Sequence, residues 1–325
     1  MQEAPLYSDL AEGPSGGAAW WVHAQDGCRL RIAHWPGDAR PGETGRGTVL
    51  LFPGRTEYIE KYGRTAAELA ARGYGTLAID WRGQGLSDRL LDNRLIGHVR
   101  QFGDYQHDVA AVLATAEALD LPRPWHLLAH SMGGCIGLRA VMEGLDVTSC
   151  CFSAPMWGIT LPPGRRPAAW ALGWTSGPLG FGHVIAPETR PEAYVLAQPF
   201  GGNALTRDRE MYEMMRRQLT AVPDLALGGP SIRWVFEALR EMLTLAARPA
   251  PQLPCLTFLG SAEKIVDPQR IANRMASWPG GRLERIDRAE HEVLMEVPAT
   301  RARVLDLATA HFDSHQQAQD NSDCA

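Results

Sequence analysis

Acyl transfer needs a serine held in a tight turn, with an imidazole and a carboxylate brought to it, and this sequence offers all three. In Ala129-His-Ser-Met-Gly-Gly134 a short apolar run, Leu127, Leu128 and Ala129, leads into Ser131, and two glycines open a helical stretch to about residue 143. Strand, sharp turn, helix strains the backbone at the serine and lifts its hydroxyl clear of the sheet edge. The usual pattern is G-x-S-x-G; Ala129 stands in the first place with one extra methyl group, and Gly133 in the second.

A serine hydroxyl needs a base, and the base needs a carboxylate to fix its tautomer. Among ten histidines, His291 in Arg288-Ala-Glu-His-Glu-Val-Leu294 follows the last expected strand and precedes the last expected helix, in a loop at the sheet edge where Ser131 projects. Two carboxylates follow the preceding strand. Glu263 sits directly in that loop and suits the acid. Asp267, before Pro268, reads more naturally as a helix N-cap and is the alternative acid. The oxyanion of a tetrahedral intermediate needs main-chain N–H donors, expected from Met132 and from Arg55 after Pro53-Gly54.

The elements that must position these groups alternate along the chain. A hairpin at residues 20–23 and 30–35 is followed by buried strands at 48–52, 74–79, 125–129, 148–153, 255–259 and 283–286, with helices between them. Continuous apolar runs joined by helices specify an α/β protein with a mostly parallel, doubly wound sheet. Between residues 154 and 253 the alternation stops, and a stretch that long must carry its own structure. Helical patterns at 207–220 and 232–245 predict an inserted helical cap over the carboxyl ends of the strands, where open α/β sheets bind ligands. The expected division is a core of 19–154 and 253–313, a cap of 155–252, and flexible tails at 1–18 and 314–325. In the cap, Trp157, Trp170 and Trp174 are candidates for substrate contact. The uncharged, glycine-rich stretch 167–187 reads as a mobile apolar lid.

Composition narrows the class. A net charge of −5 gives no electrostatic footprint for nucleic acid. The six cysteines lack metal-ligand spacing, and four fall in apolar runs, as reduced core residues do. No metal or other cofactor is expected. The first residues lack a basic and an apolar signal region, which implies a cytoplasmic protein. Only two of the 32 basic residues, Lys61 and Lys264, are lysine.

Five strings add specificity: Pro53-Gly-Arg-Thr-Glu-Tyr-Ile-Glu-Lys-Tyr62, Ile79-Asp-Trp-Arg-Gly-Gln-Gly-Leu-Ser87, Gly97-His-Val-Arg-Gln-Phe-Gly-Asp-Tyr105, Ala129-His-Ser-Met-Gly-Gly134 and Ser153-Ala-Pro-Met-Trp-Gly158. With Gly228-Gly-Pro-Ser-Ile-Arg-Trp234 they cover most of residues 45–300, and in them the chain resembles the α/β-hydrolase-fold serine hydrolases of the bacterial lysophospholipase and monoacylglycerol lipase group. Pro53 stands where the wider fold often has His, and Glu263 where Asp is commoner. The resemblance implies an ester hydrolase in which Ser131 attacks, His291 shuttles the proton and Glu263 orients it. It also implies a lipid-like small-molecule substrate and peripheral contact with the inner face of the membrane; oligomeric state is left open. The same core serves peptide and ester cleavage, so a proline-type aminopeptidase or small-ester esterase is the neighbouring reading. A non-catalytic binder of hydrophobic ligands on this fold is the more distant one.

Overall fold

The computed structural model describes residues 1–38, 45–162 and 164–322, with side chains to residue 316. In chain order the elements are β1 (Gln2–Ala4), α1 (Ser8–Ala11), β2 (Ala18–His23), β3 (Arg29–Trp35), β4 (Thr48–Phe52), α2 (Gly63–Ala70), β5 (Gly75–Asp80), α3 (Tyr105–Ala118), β6 (Trp125–His130), α4 (Ser131–Met142) and β7 (Ser149–Ser153). There follow α5 (Arg165–Ser176), α6 (Tyr194–Ala197), α7 (Arg209–Ala221), α8 (Ile232–Ala246), β8 (Cys255–Gly260), α9 (Pro268–Ala276), β9 (Arg282–Ile286) and α10 (Pro298–Ser322).

The nine strands form one sheet in the order β1-β2-β3-β5-β4-β6-β7-β8-β9. The first three strands run antiparallel, and β5 to β9 are mutually parallel. This is the mostly parallel, doubly wound sheet expected from the alternation of apolar runs and helices, and it fits the α/β-hydrolase fold that the resemblance implies. The central strands β4, β6 and β7 are buried throughout because helices cover both faces. Alternate side chains serve opposite layers. Leu50 and Phe52 of β4 pack with residues of α3, α4, α8 and α9, whereas Val49 and Leu51 pack with residues of α2, α7 and α10.

Strand order reverses at β4, whose neighbours are β5 on one side and β6 on the other, with Phe52 opposite Ala129. The loops leaving β4 and β6 therefore part in opposite directions and open a crevice between them. Ser131 and Arg55 emerge on that crevice. Between β7 and β8 the chain leaves the sheet and forms α5 to α8; α8 returns to the core, where Ala238, Leu239, Met242 and Leu245 are buried against it.

Two expectations are corrected. Residues 1–18 form β1 and α1 rather than a loose arm: β1 pairs with β2, Ala11 is buried, and Gly63 lacks the side chain that would collide with the Ala11 carbonyl. Elements of three and four residues carry no readable periodicity, which hid them. In the range 314–325, α10 continues to Ser322, and residues 323–325 lie outside the described residues. In the stretch 167–187, α5 occupies the first half and Gly173 lies directly against Phe236 of α8.

Candidate active site

Ser131 stands at the junction of β6 and α4 with φ of +49°, a left-handed conformation that costs an L-residue about 1–2 kcal/mol. Close packing imposes that turn. A Cβ on Gly133 would stand 2.1 Å from the Phe52 carbonyl oxygen, and one on Gly134 would stand 2.6 Å from Pro155 Cβ. The two glycines thus let the first turn of α4 press against the ends of β4 and β7. Met132, next to Ser131, is in the first turn of α4, where N–H groups have no partner within the helix.

The serine hydroxyl meets His291 Nε2 at 2.9 Å, and His291 Nδ1 lies 2.7 Å from Glu263 Oε2. Glu263 Oε1 accepts the N–H groups of Ile265 (2.6 Å) and Val266 (3.1 Å), which fix its rotamer. Gly260, at the end of β8, permits the Glu263 and His291 loops to touch, because a Cβ there would lie 2.2 Å from the Ala289 carbonyl oxygen. Asp267 is elsewhere: it caps α9 by accepting the N–H groups of Gln269 and Arg270.

Electrostatics favour an ionised Glu263 beside a basic imidazole. Burial opposes charge on Glu263, but the His291 hydrogen bond and charge and its two backbone donors outweigh it, so the carboxyl sits below its ordinary range. Burial likewise opposes protonation of His291, and Glu263, with Glu292 and Glu57 behind it, lifts the imidazole above its ordinary value. With Nδ1 committed to a carboxylate, Nε2 is free to take a proton from Ser131.

Sequence reasoning missed the layer beneath this chain of hydrogen bonds. Lys61 Nζ lies 2.6 Å from both Glu57 Oε1 and Glu292 Oε1, all three buried. Glu57 also accepts from the Tyr62 hydroxyl and from the Gly54 N–H, and Gln84 Nε2 donates to the Gly54 carbonyl at 2.7 Å. The Trp81 indole donates to the Pro53 carbonyl at 2.9 Å. Both polar groups of the Gly54 peptide link are thereby tied down, and the loop that carries Arg55 is fixed to the residue next to His291. His130, whose ring centre lies 4.8 Å from that of His291, is held near pKa 3 by burial and remains neutral. Glu57, His130 and Glu292 could together hold a metal ion, but the Lys61 ammonium already bridges the two carboxylates. The signal was present as one of only two lysines in a chain that otherwise uses arginine.

The trio opens on a cleft of about 700 Å³ lined by Ser131, His291 and Arg55. Its apolar wall comes from Met156, Ile159, Met215, Leu219, Leu227 and Trp234. The three tryptophans expected to touch substrate lie outside this lining. Trp157 is buried, donates to the Gly134 carbonyl at 3.0 Å and packs on Phe152 and Trp278, so it pins α4. Trp170 packs on Phe236, and Trp174 is 72% exposed. Tryptophan content flagged the right segment, but amphipathic α7 and the turn before α8 supply the wall.

The family described as Hydrolase_4, serine aminopeptidase S33, matches residues 43–298. Lysophospholipase L2 of Escherichia coli strain K12 is 34% identical over 286 residues, covering 84% of this chain and 82% of that protein. Probable lysophospholipase L2 of Haemophilus influenzae is 31% identical over 278 residues, covering 84% and 85%. In fold, the chain is similar to a soluble variant of monoglyceride lipase from Saccharomyces cerevisiae solved with a substrate analog, with a TM-score of 0.71, 21% identity, and 91% and 94% of the two chains covered. With its sheet order, its strained serine and these relatives taken together, the chain belongs to the Hydrolase_4 (serine aminopeptidase S33) family of α/β-hydrolases and resembles lysophospholipase L2 among its members.

Proposed function

We propose that this protein is a serine-dependent carboxylic-ester hydrolase that releases the fatty acid from a lysophospholipid or monoacylglycerol. The observation that carries the reading is the continuous chain Ser131–His291–Glu263, at 2.9 and 2.7 Å, opening on an apolar-walled cleft of about 700 Å³. Such a volume falls in the range of small-molecule sites, about 300–1,000 Å³.

Ser131 Oγ attacks the acyl carbonyl while its proton passes to His291 Nε2. The main-chain N–H groups of Arg55 and Met132 receive the oxyanion. His291 then gives the proton to the departing glycerol oxygen, leaving an acyl-serine. Water repeats the sequence: His291 takes a proton from it, the acyl–oxygen bond to Ser131 breaks, and the proton returns to the serine as the fatty acid leaves. Glu263 holds the imidazole throughout. The segment from α5 to α8 acts as the cap that supplies the wall for the acyl chain.

No helix among the described residues is long and apolar enough to cross a membrane. The proposed setting is cytoplasmic, with contact at the inner face of the membrane through the exposed Trp174 and Leu179. Free Cys28, Cys135, Cys150, Cys151 and Cys255 suit a reducing compartment. Ser131→Ala is the direct test. It should remove both turnover of lysolipid and labelling by a fluorophosphonate, with a loss on the order of 10⁶ in kcat for a nucleophile in such a triad. Labelling that survives in the variant would end the proposal, and release of aminoacyl amides in preference to lipid esters would move it to the peptidase side of the family.

A further inference from the structure

Arg55 carries a positive charge into the wall of the cleft, and among the described residues no carboxylate forms an ion pair with it. Its guanidinium donates to the Gly228 carbonyl, and Cζ stands 5.2 Å from the centre of the Trp234 ring. Gly97 makes room for it, since a Cβ there would come within 2.9 Å of Nη2. Nε is buried without an acceptor. Of the acids around the cleft, Glu57 and Glu292 are committed to Lys61, Glu263 to His291 and Glu188 to Arg165, while Glu192 lies exposed on the cleft lining and forms no ion pair with Arg55 among the described residues. Burial pushes the guanidinium down to about 10, so it remains charged at neutral pH.

A cation taken out of water without a counter-ion is costly, and an uncharged Met or Leu could pack on Trp234 without that cost. The arrangement makes sense where the counter-charge arrives with the ligand, and a guanidinium fork suits a phosphate group. Reach agrees with this. The Arg55 main chain lies at the proposed oxyanion site, and its side chain from Cα to Cζ spans as many bonds as separate an ester oxygen from phosphorus in a monoacyl glycerophospholipid.

We propose that Arg55 forms the subsite for the phosphate of a monoacyl glycerophospholipid, and that this enzyme therefore selects phosphate-bearing lysolipids over neutral monoacylglycerols. The inference rests on the ester-hydrolase reading of the same cleft, and its test separates the two. Calorimetry with the decyl ethers of glycerophosphate and of glycerol, which cannot be cleaved, measures binding at concentrations below micelle formation. Wild type should bind the phosphate ether about 10- to 100-fold more tightly, as charge-assisted hydrogen bonds provide. Arg55→Met should bring that ratio close to one, and Arg55→Lys should recover part of it. Inorganic phosphate alone should bind at least about tenfold more weakly than the phosphate ether, because it lacks the chain.

A ratio near one in wild type, a ratio that survives in Arg55→Met, or inorganic phosphate that matches the phosphate ether would each overturn the assignment. If Arg55→Met does not fold, Arg55→Lys against wild type decides, because lysine keeps the charge but loses the fork; an unchanged ratio there overturns it. Turnover of the matching decanoyl esters is followed in parallel. Failure of wild type to cleave either ester would refute the ester-hydrolase reading, while ether binding would still decide the role of Arg55.

Discussion

His291 must be neutral to accept the Ser131 proton, so the rate follows its deprotonation. Because Glu263, Glu292 and Glu57 lift the imidazole above 6.5, kcat/KM should fall as pH drops through a half-point above 6.5. Glu263→Gln removes the strongest of those supports and leaves burial dominant. The half-point should move down, and the rate at neutral pH should fall by about 10³- to 10⁴-fold through loss of the correct tautomer. Asp267→Ala should instead cost about 1 kcal/mol of stability, the worth of an N-cap, with kcat near wild type. Rate profiles on a soluble ester and urea melts of the two variants check this, and equal half-points in wild type and Glu263→Gln would separate Glu263 from the titration. The placement of Ser131, His291 and Glu263 was legible because each follows a strand directly, and strand ends were marked by apolar runs. The apolar wall was not, because Met215 and Leu219 lie on a cap helix whose docking no local pattern specifies.

Two loops from distant parts of the chain, one after β4 and one after β9, are held by the single Lys61 ammonium between Glu57 and Glu292. Lys61→Met leaves two carboxylates buried against each other, and the expected cost is about 3–5 kcal/mol, the usual consequence of removing one partner from a buried ion pair. Chemical denaturation measures it. A cost below about 1 kcal/mol would mean that Glu57 and Glu292 reach water or share a proton freely. The strings that carried the family resemblance acquire physical meanings here. Trp81 and Gln84 hold the carbonyls of Pro53 and Gly54, Glu57 takes the Gly54 N–H, and Trp157 holds the Gly134 carbonyl. Sequence alone showed these residues only as strings, since the hydrogen bonds of Trp81, Gln84 and Trp157 span 28, 30 and 23 positions and leave no periodicity.

At the scale of the molecule, core and cap meet around the cleft, and the cap turns two kinds of tryptophan outward and inward. Trp170→Ala should cost about 2 kcal/mol through its edge contact with Phe236, whereas Trp174→Ala should stay within about 0.5 kcal/mol. If the exposed face near Trp174 and Leu179 meets lipid, Trp174→Ala should weaken vesicle binding and activity on vesicle-borne lysolipid by several-fold while sparing a soluble short ester. Equal losses on both substrates would remove the membrane role from that face. The amide of Gln218 in α7 donates to the carbonyls of Leu10 and Glu60 at 2.7 and 3.1 Å, so this helix is fastened to the first dozen residues. That fastening sets a timetable for biosynthesis. Leu10 and Gln218 are 208 positions apart, so a ribosome adding about 5–20 residues per second makes Leu10 wait on the order of 10–40 s for this partner. The same segment pairs with β2 and packs on Gly63 long before that, so the Gln218 contact is the last of its fastenings to close.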